Sequence, residues 1–300
     1  MEPKSKSAFV AIVGKPNVGK SSLLNQLLGE KIAIVTSKPQ TTRTRITGVL
    51  TRGVTQFVFV DTPGFHKAKN KLSESMDRAV TTSIQDVEII MLVVEPMGRL
   101  NDEERQLIDH IRGQNCRRIL VINKIDLLRD KKLLAERIAE LTALCDFDAV
   151  VPVSVLKSDG IDLVFSELEN CAEEGVHYFP DDTLTDQPER VIAAEIIREK
   201  LLLNLQQEIP HGTAVVIEKM REREDKPIID IEATIYCEKM SHKGMVIGKN
   251  GAVLKKISSE ARADLERFLD EKVFLQCWVK VKDDWRNKES MIRNFGLSDT

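Results

Sequence analysis

Three hundred residues, 42% hydrophobic and 30% charged, are the makeup of ordinary globular protein with material for about two cores. The formal net charge is −3, so bulk charge gives no argument for a nucleic-acid partner, and any such partner has to be recognised at a local site. Five scattered cysteines with no C-x-x-C pair, and five equally dispersed histidines, argue against a disulfide framework or a zinc site and for a reducing compartment.

Residues Met1 to Ser7 lack the apolar core of a signal peptide, and the longest apolar run, Ile89 to Val94, is too short to span a bilayer. The cytosol is the expected location. An apolar run, Phe9 to Val13, reads as a strand. It leads into Gly14-Lys15-Pro16-Asn17-Val18-Gly19-Lys20-Ser21, and a helix-like run from Ser22 to Leu28 follows. G-x-x-x-x-G-K-[ST] between strand and helix is the pattern of a phosphate-binding loop. Without a Cβ, Gly14 and Gly19 let the backbone turn sharply and approach a ligand closely. The loop N–H groups and the helix N-terminus then attract anions. Lys20 is expected to reach the β- and γ-phosphates, and the Ser21 hydroxyl to sit on Mg²⁺.

A polar stretch, Thr36 to Arg45, reads as an exposed loop because of Pro39 and its many hydroxyls. Its functional reading is a switch segment in which a threonine, Thr42 first and Thr41 second, completes the Mg²⁺ shell when a γ-phosphate is present. Thr55 to Val60 reads as a strand ending in Asp61-Thr62-Pro63-Gly64. Asp61 is placed there to bind Mg²⁺ through water, and Gly64 to present its N–H to the γ-phosphate. Strand Val87 to Val94, a helix containing Arg105 to Ile111, and strand Arg118 to Ile122 continue the alternation. Continuous apolar strands between helices imply a parallel sheet covered on both faces, with ligands bound beyond the carboxyl ends of the strands.

Asn123-Lys124-Ile125-Asp126 names the base. Guanine presents two donors, N1–H and the 2-amino group, and the Asp126 carboxylate accepts from both. Asn123 is expected to tie loops together near the base, and the aliphatic stem of Lys124 to pack on the sugar or base. After the strand Val150 to Val153, the backbone of Ser154-Val155-Leu156 can reach the guanine O6. Taken in order, these five segments resemble a small GTPase domain, an α/β fold with a mostly parallel sheet and helices on both faces. One position departs from the Ras pattern. Phe65 stands where Ras-like proteins carry a water-orienting Gln. This resembles the bacterial GTPases with a hydrophobic residue there. The resemblance implies slow intrinsic hydrolysis, helped by a partner or by a potassium ion held with Asn17.

From His177 two prolines among aspartates and threonines mark a linker, and Asp186 with Glu189 reads as a capping box opening a helix. Thr213 to Met220 and Ile228 to Cys237 are strands, the second alternating with a clean period of two. Then come Met245-Val246-Ile247-Gly248-Lys249-Asn250-Gly251, a long amphipathic helix and a last alternating strand, Val273 to Val281. This order resembles a type II K-homology (KH) domain, whose G-x-x-G loop clamps about four unpaired nucleotides. The resemblance makes Ile247, Gly248, Lys249, Asn250 and Gly251 the RNA-binding loop, with Lys243, Lys255 and Lys256 as local positive charge. The expected division is a GTP-binding domain over 1–178, a linker over 179–188 and a KH domain over 189–300.

The two halves together, with Pro39 to Arg43, Asp61 to Gly64 and Trp278 to Lys282, resemble the Era GTPase family. That resemblance implies a GTP/GDP switch that needs Mg²⁺ and binds small-subunit (16S) ribosomal RNA near its 3′ end in maturation of the 30S subunit. It further implies peripheral contact with the inner face of the cell membrane; a monomer is expected. Two other readings remain at this level. In one, the chain is a constitutive RNA-binding module with a structural nucleotide domain. In the other, the C-terminal domain of a GTPase docks protein or membrane.

Overall fold

The computed structural model describes residues 4–38, 40–65, 70–206 and 208–298. Pro39, part of the expected exposed loop, Met1 to Pro3, and residues 66–69 lie outside the described residues. The first domain is built on strands β1 (Lys6–Val13), β2 (Ile46–Arg52), β3 (Thr55–Asp61), β4 (Ile89–Val94), β5 (Arg117–Ile122), β6 (Ala149–Pro152) and β7 (Glu173–Glu174). Their order is β2-β3-β1-β4-β5-β6. β1, β3, β4, β5 and β6 are parallel; β2 runs antiparallel on β3, and β7 adds antiparallel to the start of β1.

Helices α1 (Lys20–Leu28), α2 (Lys71–Ile84), α3 (Asp102–Arg112), α4 (Lys131–Thr142) and α5 (Ile161–Cys171) cover both faces. Every residue of β4 is buried, because its alternate side chains enter two different cores. Met91 and Val93 join the cluster under α1 and α5, whereas Ile90, Leu92 and Val94 join the one under α3 and α4. The sequence reading places no element at β2, α2, α4 or α5, all of which are regular.

The second domain runs α6 (Glu189–Asn204), β8 (Thr213–Glu222), β9 (Ile228–Cys237), α7 (Met240–Ile247), α8 (Ala252–Leu269), β10 (Lys272–Val281) and a short α9 (Glu289–Asn294). Its sheet has the order β10-β9-β8, antiparallel between β8 and β9 and parallel between β9 and β10. The alternating Ile229, Ile231, Ala233 and Ile235 meet Ile257, Ala261 and Leu265 of α8 in one core.

Two expectations change here. The capping box at Asp186 does not form: α6 starts after Pro188 with no side-chain cap. Thr185 instead accepts from Gln187 N at 3.1 Å and donates to Thr47 O at 2.6 Å, while Leu184 O accepts from Val49 N at 2.8 Å. The linker is thus tied along β2. The stretch 36–45 is not simply an exposed loop, because Thr42 and Arg43 are 6% and 2% exposed. The second domain packs over it, a long-range contact that loop composition cannot reveal.

The domains also share an apolar contact, in which Leu72 and Met76 of α2 pack with Ala214, Trp285, Ile292 and Leu297. The fully buried Trp285 ring donates its N–H to Gly212 O at 3.0 Å. Truncating a buried aromatic costs about 3–5 kcal/mol through lost burial and a residual cavity. Trp285→Ala is therefore expected to lower the urea midpoint, followed by far-UV circular dichroism, by that order of stability; an unchanged midpoint would contradict this packing.

Candidate functional site

The loop between β1 and α1 folds under a cavity of about 940 Å³ at the C-terminal edge of the parallel sheet. Gly19 caps α1 at φ 102° with no side-chain cap, so the first helical N–H groups face the cavity. A Cβ at Gly19 would collide with the Asn123 amide. Lys20 is buried, and its ammonium donates to Gly14 O at 3.0 Å and Lys15 O at 2.9 Å. Ser21 Oγ donates to Asp61 Oδ2 at 2.6 Å and lies 2.9 Å from Thr42 Oγ1. The threonine that meets Ser21 is thus Thr42. The Thr41 hydroxyl turns into its own loop, donating to Lys38 O at 2.6 Å and lying 2.7 Å from Thr36 Oγ1.

Burial pushes the Lys20 ammonium down to about 8 and the Asp61 carboxyl up to about 6, each shift opposed by the other's charge. Asp61 Oδ1 is buried without a hydrogen-bond partner among the described residues. A buried cation beside loop N–H groups and a half-satisfied carboxylate beside two hydroxyls suit an anion and a cation bound side by side.

At the other end of the cavity Asn123 joins three loops. Its amide donates to Val18 O at 2.8 Å, and its Oδ1 accepts from Lys124 N at 2.7 Å and Val155 N at 3.1 Å. Asp126 accepts from Ser154 Oγ at 2.6 Å, which orients its carboxylate. Lys124 donates to Asn17 O at 2.6 Å and pairs with Glu95. Pro16, Asn17, Ser22, Gly64, Val155 and Leu156 also line the cavity.

Other expected residues lie behind it. Val18 is buried in the core, and the Thr62 hydroxyl donates to Ile12 O at 2.9 Å, next to the buried Pro63. The Lys15 ammonium is drawn 3.0 Å from Glu104, whose own backbone and carboxylate form the capping box of α3 with Asn101. Phe65 turns into the core, edge-on to His110 at 6.1 Å, while its N–H donates to Gly14 O at 3.2 Å.

In the second domain α7 ends at Gly248, where φ is 73° and an added Cβ would collide with Val253. Asn250 and Gly251 follow at φ 52° and 77°, and α8 opens on Gly251 with no side-chain cap. The tip residues Lys249 and Asn250 are exposed, as are Lys255 and Lys256 on the first turns of α8; Lys243 and Ile247 are half-buried on α7. Lys256 shares its charge with Glu260 at 3.7 Å.

A family model described as 50S ribosome-binding GTPase matches residues 9–124, and a KH-domain model matches residues 208–286. The chain is 50% identical to the GTPase Era of Ruminiclostridium cellulolyticum over 291 residues, 97% of each chain. It is 50% identical to the GTPase Era of Clostridioides difficile over 294 residues, 98% of this chain and 99% of that one. The chain belongs to the Era family of GTPases.

Two solved structures agree with that. An Aquifex aeolicus Era variant bound to GDP·AlF₄⁻ superposes with a TM-score of 0.94 at 36% identity, over 98% of this chain and 100% of that one. Era in complex with MgGDPNP and nucleotides 1506–1542 of 16S ribosomal RNA superposes with a TM-score of 0.95 at 35% identity, over the same shares. The protein is a GTPase with a KH domain. A guanine nucleotide and Mg²⁺ come with that activity, and the orphaned Asp61 oxygen, the buried Lys20 and the uncapped α1 fit them.

The residues missed by sequence reasoning sit where the domains meet: Arg198, Glu199 and Lys200 are buried. Their one signal is a charged triplet inside the apolar run of α6. For the base, Asp126→Asn is expected to move preference from guanine toward xanthine nucleotides in competition binding, since xanthine carries an acceptor where guanine carries an amine. Undiminished guanine preference would refute the role of Asp126.

Proposed function

We propose that the chain is a GTP-driven switch that binds single-stranded small-subunit (16S) ribosomal RNA near its 3′ end and acts in maturation of the 30S subunit. The observation that carries the switch reading is that one segment, 31–43, borders the nucleotide cavity and is bonded to the KH domain at the same time. The RNA reading is supported by the Gly248–Gly251 loop, whose left-handed backbone and uncapped helix start allow phosphates to approach N–H groups. The complex of a 35% identical Era with a 16S segment supports the choice of RNA.

In this reading Lys20 leaves its two carbonyls for the β- and γ-phosphates. Ser21, Thr42 and Asp61 hold Mg²⁺, Gly64 offers its N–H to the γ-phosphate, and Asp126 takes the base. Mg²⁺, when bound, draws charge off the β- and γ-phosphates. The Phe65 side chain has no polar atom and faces the core, so it cannot orient the attacking water, and slow unassisted hydrolysis is expected. Asn17 donates to Ser37 O at 2.8 Å. That contact joins the phosphate loop to the switch segment, where a potassium ion held with Asn17 would add positive charge. The reading carries with it a cytoplasmic monomer with peripheral contact to the membrane; the free thiols suit a reducing compartment, and no described helix is long and apolar enough to cross a membrane.

Affinity for a single-stranded RNA of the 16S 3′ end, at one fixed salt, is expected to differ between a GTP analogue and GDP, and to be lost in Gly248→Asp. Tight binding indifferent to nucleotide would instead make the nucleotide domain structural. GTP turnover is expected to be faster in K⁺ than in Na⁺ and to lose that difference in Asn17→Ala; equal rates in both salts for the unmodified chain would remove potassium from the mechanism.

A further inference from the structure

Thr42 and Arg43 are neighbours in a stretch without helical structure, where successive side chains can leave on opposite sides. The Thr42 hydroxyl ends 2.9 Å from Ser21 Oγ in the nucleotide domain. The Arg43 guanidinium ends in the KH domain, spread over main-chain oxygens of the turn that leads into β8 and of the first residue of that strand. It donates to Thr213 O at 2.6 Å, His211 O at 2.8 Å and Pro210 O at 3.4 Å, and lies over the Trp285 ring at 5.9 Å.

The same side of the segment is gripped further along. Arg198 of α6 donates to Thr41 O, while Lys38 donates to Leu202 O and Leu205 O at the end of that helix. Glu199 accepts from Val35 N at 3.1 Å and from Lys31 at 2.7 Å. Every one of these bonds crosses from segment 31–43 to the KH domain. The segment is therefore held to the KH domain at five residues, Lys31, Val35, Lys38, Thr41 and Arg43, while the Thr42 hydroxyl points back to Ser21 in the nucleotide cavity.

We infer that Arg43 is a positioning residue for GTP hydrolysis: seated on the 210–213 turn, it holds Thr42 at the metal pocket, so that the KH domain orders part of the hydrolytic site. The inference rests on the reading of Thr42 as a Mg²⁺ ligand. Arginine suits the task because its planar fork reaches several carbonyls at once, which a lysine ammonium on a flexible stem does not reproduce. The fit is incomplete, because Arg43 Nε and Arg198 Nη1 are buried without hydrogen-bond partners among the described residues. The contact thus holds at an electrostatic cost, as a part that is made and released requires. By linkage, whatever moves the turn at 210–213 changes the order of Thr42, and whatever fixes Thr42 strengthens the seat of Arg43.

The test uses the full-length chain as Arg43→Lys, Arg198→Gln and Thr42→Ala, with GTP turnover followed against Mg²⁺ concentration and GDP affinity measured in parallel. Because the threonine is called on only when a γ-phosphate is present, GDP affinity is expected to stay at the level of the unmodified chain. In Arg43→Lys, kcat is expected to fall roughly 10- to 100-fold, the loss that follows from a misplaced group, and half-maximal turnover to need more Mg²⁺. Arg198→Gln, which keeps Arg43 but frees Thr41, is expected to show the same pattern with a smaller loss. An unimpaired Arg43→Lys beside an impaired Thr42→Ala would overturn the inference alone. An unimpaired Thr42→Ala would overturn it together with the reading of Thr42. Loss of GDP affinity in step with turnover in both arginine variants would also overturn it, since that is what a merely structural residue would give.

Discussion

A parallel sheet brings the C-terminal ends of all its strands to one edge, and in this protein that constraint organises everything else. β1, β3, β5 and β6 each end in a polar turn on that edge, although the turns lie far apart in the chain. Apolar packing on both faces of β4 fixes the register of the strands. Register in turn decides that Ser21, Thr42 and Asp61 meet, and that Asn123 can bond to the phosphate loop. The site is a by-product of how the two cores close.

Burial then sets the electrostatics. Lys20 and Asp61 are both removed from water, and each is held in its charged form chiefly by the other. Such a pair is unfavourable by itself, since desolvation competes with attraction. It becomes favourable when an anion joins Lys20 and a cation joins Asp61, which is what a nucleotide phosphate chain with its metal supplies. A site that is costly while bare and satisfied when filled gives a physical reason for the neighbouring segment to follow its occupancy.

The second constraint is the contact between the domains. It combines a small apolar cluster around Trp285 with polar bonds from the switch segment to main-chain oxygens and to α6. Apolar contact supplies adhesion with little direction, while the donor–acceptor bonds specify one arrangement. The linker is itself tied along β2, which adds a further fixed contact between the two domains. On the proposed reading, coupling between GTP and RNA would take a short physical route through the segment that carries Thr42 and Arg43.

Most of the candidate site was legible in the sequence, because it depends on residue types at fixed local spacing. The turn Gly14–Ser21, the segment Asp61–Gly64, Asn123–Asp126 and Gly248–Gly251 each carry their own conformational reason. The strands β4 and β9 are equally legible, one continuous and one alternating. α2, α4 and α5 were not read, since charged residues dilute their apolar patterns, and β2 was not read because Gly48 and two threonines interrupt its short apolar run. The capping box at Asp186 failed because Pro188 opens the helix and Thr185 is committed to β2. What only the tertiary structure decided is that a polar loop is buried at Thr42 and Arg43, that Thr42 and not Thr41 meets Ser21, and that a charged triplet in α6 lies in an interface. Local spacing determines which groups a short segment can offer. Which of them lose water, and against what, depends on residues about 160 positions away, and no local pattern records that distance.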